Sequence, residues 1–211
     1  MSDQHIDPRF RNAIFSADTW KGYVRQYVAQ VQDALEQVQE SALDEAYRVI
    51  STAVRENRRV FVAGNGGSAA IADHLCCDWT KGTHSPGLPP LRTHSLASNV
   101  PVLTAIANDF GYDAVFSRQL ELLANPGDVL LLISSSGNSP NIVAALDAAK
   151  AMGITTVGLS GFSGGVLAQR ADVCLHVPYS NYGLVEDCHQ MLMHTFGQLF
   201  VTRREQDARQ T

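Results

Sequence analysis

The sequence lacks an excess of basic residues and lacks any long apolar run. Its 211 residues include 16 Lys and Arg against 21 Asp and Glu, which gives a formal net charge of -5 at pH 7. Nucleic-acid binders and binders of acidic membranes normally carry a basic excess, so we expect neither kind of partner. No apolar stretch approaches the roughly 20 residues of a membrane-spanning helix. We therefore expect a small-molecule or protein partner and no membrane association.

Cysteine is scarce and follows no metal or redox motif. The four cysteines, Cys76, Cys77, Cys174 and Cys188, show no CxxC spacing. Because adjacent residues are poorly placed for an unstrained mutual disulfide, we expect reduced thiols. Residues 1–15 have no apolar core followed by a small-residue cleavage site, so we expect no secretory signal and a cytoplasmic protein.

The segment 18–58 carries apolar residues at steps of three and four, which is typical of helices. Those of the first predicted helix share one face in a heptad-like seam: Val24, Val28, Val31, Leu35 and Val38. A second helical pattern begins near Ser41. Either these helices cover the core of their own domain, or the first packs against a copy from another subunit.

Short apolar and β-branched runs alternate with helical stretches after residue 59. The runs predict five strands, at 60–64, 91–97, 129–134, 155–160 and 173–178. Helices are predicted near 68–81, 99–107, 112–125, 139–152, 164–171 and 185–204. This alternation indicates a parallel sheet covered on both faces, with ligand sites outside the carboxyl ends of the strands. The Pro- and Gly-rich stretch 81–92 predicts a surface loop beside that edge.

Two turns rich in glycine or serine follow the first and third predicted strands. The first is GNGGS at 64–68 and the second is SSSGNS at 134–139. Each precedes a helix, and free backbone amides at a helix N-terminus favour an anion. The first matches neither the GxGxxG pattern nor a Walker loop. Four serines exceed what helix capping needs, and hydroxyls without a basic residue suit the phosphomonoester of a metabolite.

One further pair indicates metal chemistry. His74 and Asp78 lie four residues apart on a predicted helix, so they share a face about one turn apart. At this spacing an imidazole and a carboxylate can bind one metal ion, although many such pairs are surface contacts.

Three motifs occur together and in one order: GNGGS at 64–68, NDFG at 108–111 and ISSSGNS at 133–139. In this the sequence resembles the SIS (sugar isomerase) domain family, and within it the phosphoheptose isomerases, over residues 20–204. The resemblance implies a flavodoxin-like, doubly wound, five-stranded parallel sheet in a homotetramer with active sites between subunits. The N-terminal helices would then serve in oligomer packing. We expect a single SIS domain over residues 1–211, with a helical segment 18–58 and a sheet core 60–204.

The resemblance also assigns roles to particular residues. Those that would contact the sugar chain are Asn65, Gly66, Gly67, Ser68, Asn108 and Asp109. Those that would hold the phosphate are Ser134, Ser135, Ser136 and Ser139. Those that would bind the metal are His74, Asp78, Glu186 and His194. Zinc is the ion that the family implies, and this donor set also accepts other divalent metals.

The metal positions depart from the family pattern at two residues. The family has a glutamate, serving as ligand and base, where this sequence has Asp78, and a glutamine where it has Glu186. Aspartate is shorter by one methylene, so Glu186 is an alternative base, with His194 as the expected acid. Eight residues of helix rise about 12 Å, so Glu186 and His194 cannot chelate one ion from regular helical positions. Either Glu186 precedes the helix, or the ligands come from different subunits.

The expected activity is an aldose–ketose isomerisation. The resemblance implies conversion of sedoheptulose 7-phosphate to D-glycero-D-manno-heptose 7-phosphate, the first step of activated-heptose synthesis, through a metal-assisted enediol(ate). Such chemistry needs a base, an acid and a metal but no organic cofactor. Two alternatives stay open: a non-catalytic SIS adaptor that associates with the replication initiator, or an isomerase or binding module for another phosphosugar. His194 favours the enzyme, because that adaptor lacks a histidine there.

Overall fold

The computed structural model describes residues 15–210. Residues 1–14 and residue 211 lie outside this range. The prediction about a secretory signal concerned residues 1–15, so almost all of it falls on residues that are not described. Among the described residues, no helix is both long enough and apolar enough to span a bilayer.

Two helices open the described chain, and strands and helices then alternate. The helices are α1 (Trp20–Glu36), α2 (Glu40–Arg55), α3 (Gly67–Gly82), α4 (Val100–Phe110), α5 (Ser117–Leu123), α6 (Pro140–Ala151), α7 (Gly165–Arg170) and α8 (Tyr182–Gln210). The strands are β1 (Arg59–Gly64), β2 (Arg92–Ser95), β3 (Val129–Ser134), β4 (Thr155–Ser160) and β5 (Val173–His176). A 3₁₀ helix, Tyr112–Ala114, lies between α4 and α5.

The strands within residues 15–210 form one parallel sheet in the order β2-β1-β3-β4-β5. This is the flavodoxin-like order, so the predicted fold class is confirmed. Val60 pairs with Val129, and Gly64 pairs with Ile133. Because β1 and β3 end at the same level, the turns that follow them lie side by side at the point where the strand order reverses.

Helices cover both faces of this sheet, as the uninterrupted apolar strands predict. Val62 and Leu131 point to one face, where they join a buried cluster with residues of α2, α3 and α8. Phe61 and Leu130 point to the other, where they pack with residues of the helices α4 to α7 and of the 3₁₀ segment. The core thus fixes α3 and α8 on the same side of the sheet.

The apolar seam of α1 is divided between two environments. Val31 and Val38 are buried in the core of their own chain, so the first helix does cover its own domain. Val24 and Val28 are exposed, Val28 with 59% of its surface accessible, and so is Trp20. The half of the seam nearer the N-terminus therefore stays available for a contact with another subunit.

Two sequence predictions are wrong in their details. The helix predicted over 112–125 is broken into the 3₁₀ segment and α5, and the buried residues Val115 and Phe116 lie between the two. The loop within 81–92 does not lie beside the carboxyl ends of the strands. It joins the far end of α3 to the start of β2, where Arg92 pairs with Arg59, the first residue of β1. It therefore lies at the amino end of the sheet, because α3 runs back along the whole sheet.

Candidate active site

The turn after β1 is shaped by glycine. Gly66 has a φ of 55° and a ψ of -122° and immediately precedes α3, a conformation that residues with a side chain rarely adopt. A Cβ on Gly64 would lie 2.6 Å from the carbonyl oxygen of Ser68. The chain therefore turns sharply enough to bring the first backbone amides of α3 to the crevice, while the Ser68 side chain is buried.

The four serines of the turn after β3 differ in the hydrogen bonds of their side chains. The hydroxyls of Ser134 and Ser136 accept hydrogen bonds from the backbone amides of Gly137 and Asn138, at 3.2 and 3.3 Å. Ser139 precedes α6 but its side chain does not cap that helix. The Ser135 hydroxyl is buried and has no hydrogen-bond partner within residues 15–210. Capping thus accounts for none of the four serines, and one buried hydroxyl lacks the partner that such groups normally have.

An amide pair joins the two turns. Asn65 Nδ2 donates to Asn141 Oδ1 at 2.8 Å, and Asn141 Nδ2 donates back to Asn65 Oδ1 at 2.9 Å. The Tyr112 hydroxyl also donates to Asn65 Oδ1, at 2.9 Å. The segment after NDFG therefore reaches the first turn through Tyr112. Asn108 and Asp109 are themselves exposed and bonded to each other, Nδ2 to Oδ1, at 2.8 Å; their contact with a sugar stays a prediction.

Three of the four predicted metal ligands lie together. Asp78 Oδ2 is 3.3 Å from the Nε2 atom of His74 and 3.3 Å from that of His194. The ring centroids of the two histidines are 4.9 Å apart. One ligand atom from each residue lies within 4.8 Å of the others. Two imidazoles and a carboxylate at this spacing can hold a zinc ion and leave a position open for a substrate.

Gln190 belongs to this cluster, although it was not among the residues predicted from the sequence. Its Nε2 is 2.9 Å from His74 Nδ1 and 3.4 Å from His194 Nε2. Its position four residues before His194, on one helix face, was the available signal. A metal-binding histidine usually donates its other ring N–H to a carboxylate, a carbonyl oxygen or water, which fixes the orientation of the ring. The Gln190 amide lies against this ring nitrogen of His74, and with the amide turned over its Oε1 oxygen would accept that N–H.

Glu186 occupies a different place from the one expected. It lies inside α8, which begins at Tyr182, so of the two alternatives the one in which it precedes the helix is wrong, and ligands from different subunits stay a prediction. Its carboxylate contacts the first turn: a Cβ on Gly67 would lie 2.5 Å from Glu186 Oε2. Among the described residues it is not part of the group formed by His74, Asp78 and His194. Burial, and then the neighbouring Asp187 carboxylate, raise the pKa of Glu186.

These contacts follow the line along which α3 and α8 meet. Glu186 lies at Gly67, Gln190 at His74, and His194 at Asp78. The two helices therefore run in the same direction, away from the carboxyl ends of the strands. Gly67 and His74 are separated by seven residues, or about 10 Å of helix rise. The candidate metal cluster thus lies about 10 Å farther along α3 than the turn that begins this helix, in the direction away from the carboxyl ends of the strands.

The buried histidine of α8 plays a packing role. His189 is fully buried, and its Nε2 contacts the carbonyl oxygen of Ser160 at 3.1 Å. Cys188 is buried as well. Neither residue is part of the group that His74, Asp78 and His194 form among the described residues.

Comparison with known proteins identifies relatives with a SIS domain. Residues 26–161 match the SIS domain family. The chain is 40% identical over 157 residues to a phosphoheptose isomerase of Campylobacter concisus, covering 74% of this chain and 82% of the relative. It is 39% identical over 153 residues to one of Rhodospirillum rubrum, covering 72% and 81%. A solved phosphoheptose isomerase from Neisseria gonorrhoeae superposes with a TM-score of 0.79 at 30% identity, covering 87% of this chain and all of that one.

The burial of His189 predicts a pH dependence of stability. Burial lowers its pKa to about 4, whereas an unfolded histidine titrates near 6.5. Between these values the unfolded chain binds a proton that the folded chain does not. The free energy of unfolding should therefore fall as the pH falls from about 6.5 to about 4, by up to about 1.4 kcal/mol per pH unit.

Urea unfolding of the native chain and of His189→Gln across this pH range measures the effect. Glutamine keeps a donor for the Ser160 carbonyl but does not titrate, so the variant should show a shallower decline than the native chain. Equal slopes for the two proteins would contradict the assignment.

Proposed function

The chain belongs to the SIS domain family, and on that premise we propose that it converts sedoheptulose 7-phosphate to D-glycero-D-manno-heptose 7-phosphate. It is an isomerase, as its relatives are. The observation that carries the proposed substrate is the pairing of a hydroxyl-rich turn with a separate cluster of His74, Asp78 and His194 farther along α3. The product would enter the synthesis of activated heptose. The serine turn would bind the phosphate, and the cluster would act on the carbonyl end of the sugar.

The serine turn supports the phosphate end of this proposal. The unpartnered Ser135 hydroxyl and the uncommitted side chain of Ser139 would donate to phosphate oxygens. The N-terminus of α6 follows directly after this turn, and a helix N-terminus favours a dianion. A long phosphosugar suits the separation between this turn and the cluster, because its phosphate and its carbonyl lie at opposite ends of a seven-carbon chain.

The cluster supports the carbonyl end. His74, Asp78 and His194 would hold a zinc or another divalent ion, which when bound would polarise the carbonyl of the sugar. Gln190 would keep the His74 ring in its orientation. His194 can serve both as ligand and as acid only through different ring nitrogens, since its Nε2 atom faces Asp78.

The isomerisation needs a general base, and one of the two carboxylates would fill this role. A base removes a proton from C1 of the ketose, the electrons of that bond form a C1–C2 double bond, and the C2 carbonyl oxygen takes a proton. Return of a proton to C2 and loss of the O1 proton then give the aldehyde. We assign the base to Asp78, which lies among the histidines, rather than to Glu186, whose carboxylate lies at Gly67. Glu186 would accept hydrogen bonds from sugar hydroxyls.

The adaptor alternative is the less well supported. An adaptor without turnover has no need of two imidazoles converging on one carboxylate, and His194 takes part in that cluster.

Conversion of sedoheptulose 7-phosphate by the purified chain tests the proposed activity. We expect turnover, loss of turnover after chelation, and recovery when zinc is added back, because the reaction needs a polarised carbonyl. Proton NMR in deuterated water should show exchange at C1 and C2. A folded protein with no turnover or exchange under any of these conditions would contradict the proposal.

Two isosteric variants separate the roles of the carboxylates. Asp78→Asn should lower kcat by about 100-fold or more, because general base catalysis typically contributes that much, and should weaken zinc binding measured by calorimetry. Glu186→Gln should mainly raise KM and leave kcat near the native value, because a neutral amide accepts weaker hydrogen bonds from sugar hydroxyls than a carboxylate does. Full turnover in Asp78→Asn, with turnover abolished in Glu186→Gln, would reverse the assignment.

We also propose that the exposed part of the α1 seam forms a subunit interface of a homotetramer, supported by the exposure of Trp20, Val24 and Val28. Val28→Glu should then dissociate the assembly in light scattering, because an unpaired carboxylate is costly in a buried contact. Ala29→Glu places the same charge about 100° around the helix and should leave the assembly intact. A tetramer that survives Val28→Glu, or a native chain that is monomeric, would count against this interface.

A further inference from the structure

The side-chain amides of Asn65 and Asn141 link the turn after β1 to the turn after β3. Asn141 lies in the first turn of α6, directly after the serine turn, and is 1% exposed. Asn65 lies directly after β1. Each side chain both donates to and accepts from the other, at 2.8 and 2.9 Å. A two-sided pair of this kind fixes the distance and the relative orientation of the segments that carry it.

The hydrogen-bonding capacity of Asn65 is largely used within the protein. Its Oδ1 accepts from Asn141 Nδ2 and from the Tyr112 hydroxyl, and a carbonyl oxygen has two lone pairs. One of its two N–H groups donates to Asn141. Only one N–H is left for a sugar, so most of what the Asn65 side chain does is to hold its turn against α6 and the Tyr112 segment.

Asn141 is buried, and its side chain is bonded to Asn65 in both directions. Replacing one member of a buried pair leaves the other with unsatisfied polar groups, which costs free energy in a low-dielectric interior. A small displacement of α6 or of the serine turn would therefore be transmitted to Asn65 rather than absorbed.

We propose that Asn141 is a positioning residue that couples phosphate binding at the serine turn to the geometry of the Asn65 turn. This inference rests on the proposed function, since it assumes a phosphosugar whose two ends are bound at different places. Occupation of the serine turn would set the position of α6, and the amide pair would then hold the Asn65 turn in the arrangement that binds the sugar. Binding energy from the phosphate, remote from the reacting carbons, would in this way promote reaction.

A substrate cut into two pieces tests the coupling. The pieces are sedoheptulose, which lacks the phosphate, and inorganic phosphate, and the measurement is deuterium exchange at C1 of sedoheptulose. For the native chain we expect saturating phosphate to stimulate exchange by about tenfold, equivalent to about 1.4 kcal/mol. For Asn141→Ala we expect less than about twofold stimulation, with the Kd for phosphate within about twofold of the native value. With intact sedoheptulose 7-phosphate, the same variant should show a lower kcat and a KM close to the native value.

Two further variants keep the test decisive. Asn125→Ala removes an asparagine side chain before β3, at the opposite end of that strand, and should keep the full stimulation. Tyr112→Phe removes only the exposed hydroxyl that donates to Asn65. Should Asn141→Ala fail to fold, Tyr112→Phe is expected to reduce the stimulation by about threefold, or about 0.6 kcal/mol.

The possible outcomes distinguish a failure of the coupling from a failure of the proposed function. Stimulation that is absent in a native chain active on sedoheptulose 7-phosphate, or that persists undiminished in Asn141→Ala, overturns the coupling and leaves the proposed function standing. So does a variant that loses phosphate affinity while keeping kcat, because Asn141 would then only shape the serine turn. A native chain that converts no sedoheptulose 7-phosphate overturns the proposed function, and this inference with it.

Discussion

The pairing of β1 with β3 is the constraint on which the rest of the site depends. These two strands are distant in sequence, and their register aligns Gly64 with Ile133. The glycine turn and the serine turn consequently leave the sheet side by side, close enough for Asn65 and Asn141 to bond in both directions. In open parallel sheets such a reversal of strand order is where ligands bind. Here it brings together two groups of backbone amides and a set of hydroxyls.

A second organising contact is the line along which α3 and α8 meet. Both helices pack on one face of the sheet through apolar residues such as Leu75 and Leu192. Their polar residues meet at the border of that contact, from Glu186 at Gly67 to His194 at Asp78. The same packing that stabilises the fold thus positions the imidazoles and carboxylates. It also separates the two changed metal positions, because Asp78 stays with the histidines while Glu186 lies nearer the glycine turn.

Much of this arrangement could be predicted from the sequence, and the physical reasons differ by element. The strands β1 and β3 are continuous apolar runs, and the turns after them carry glycines and serines whose chemistry is local. The four-residue spacing of His74 and Asp78 is enough to put them on one helix face. Gln190 was missed because its role depends on how α8 lies against α3, a relation between residues far apart in sequence. The amide pair and the position of loop 81–92 were hidden for the same reason.

The most direct test of this two-ended site is a crystal structure with zinc and sedoheptulose 7-phosphate bound, with anomalous data collected at the zinc edge. We expect an anomalous peak among His74, Asp78 and His194, and the phosphate of the sugar at the hydroxyls of residues 134–139. The carbonyl end of the sugar should point toward the metal. A metal held elsewhere, or a phosphate bound away from the serine turn, would contradict the division of the site into a phosphate end and a carbonyl end.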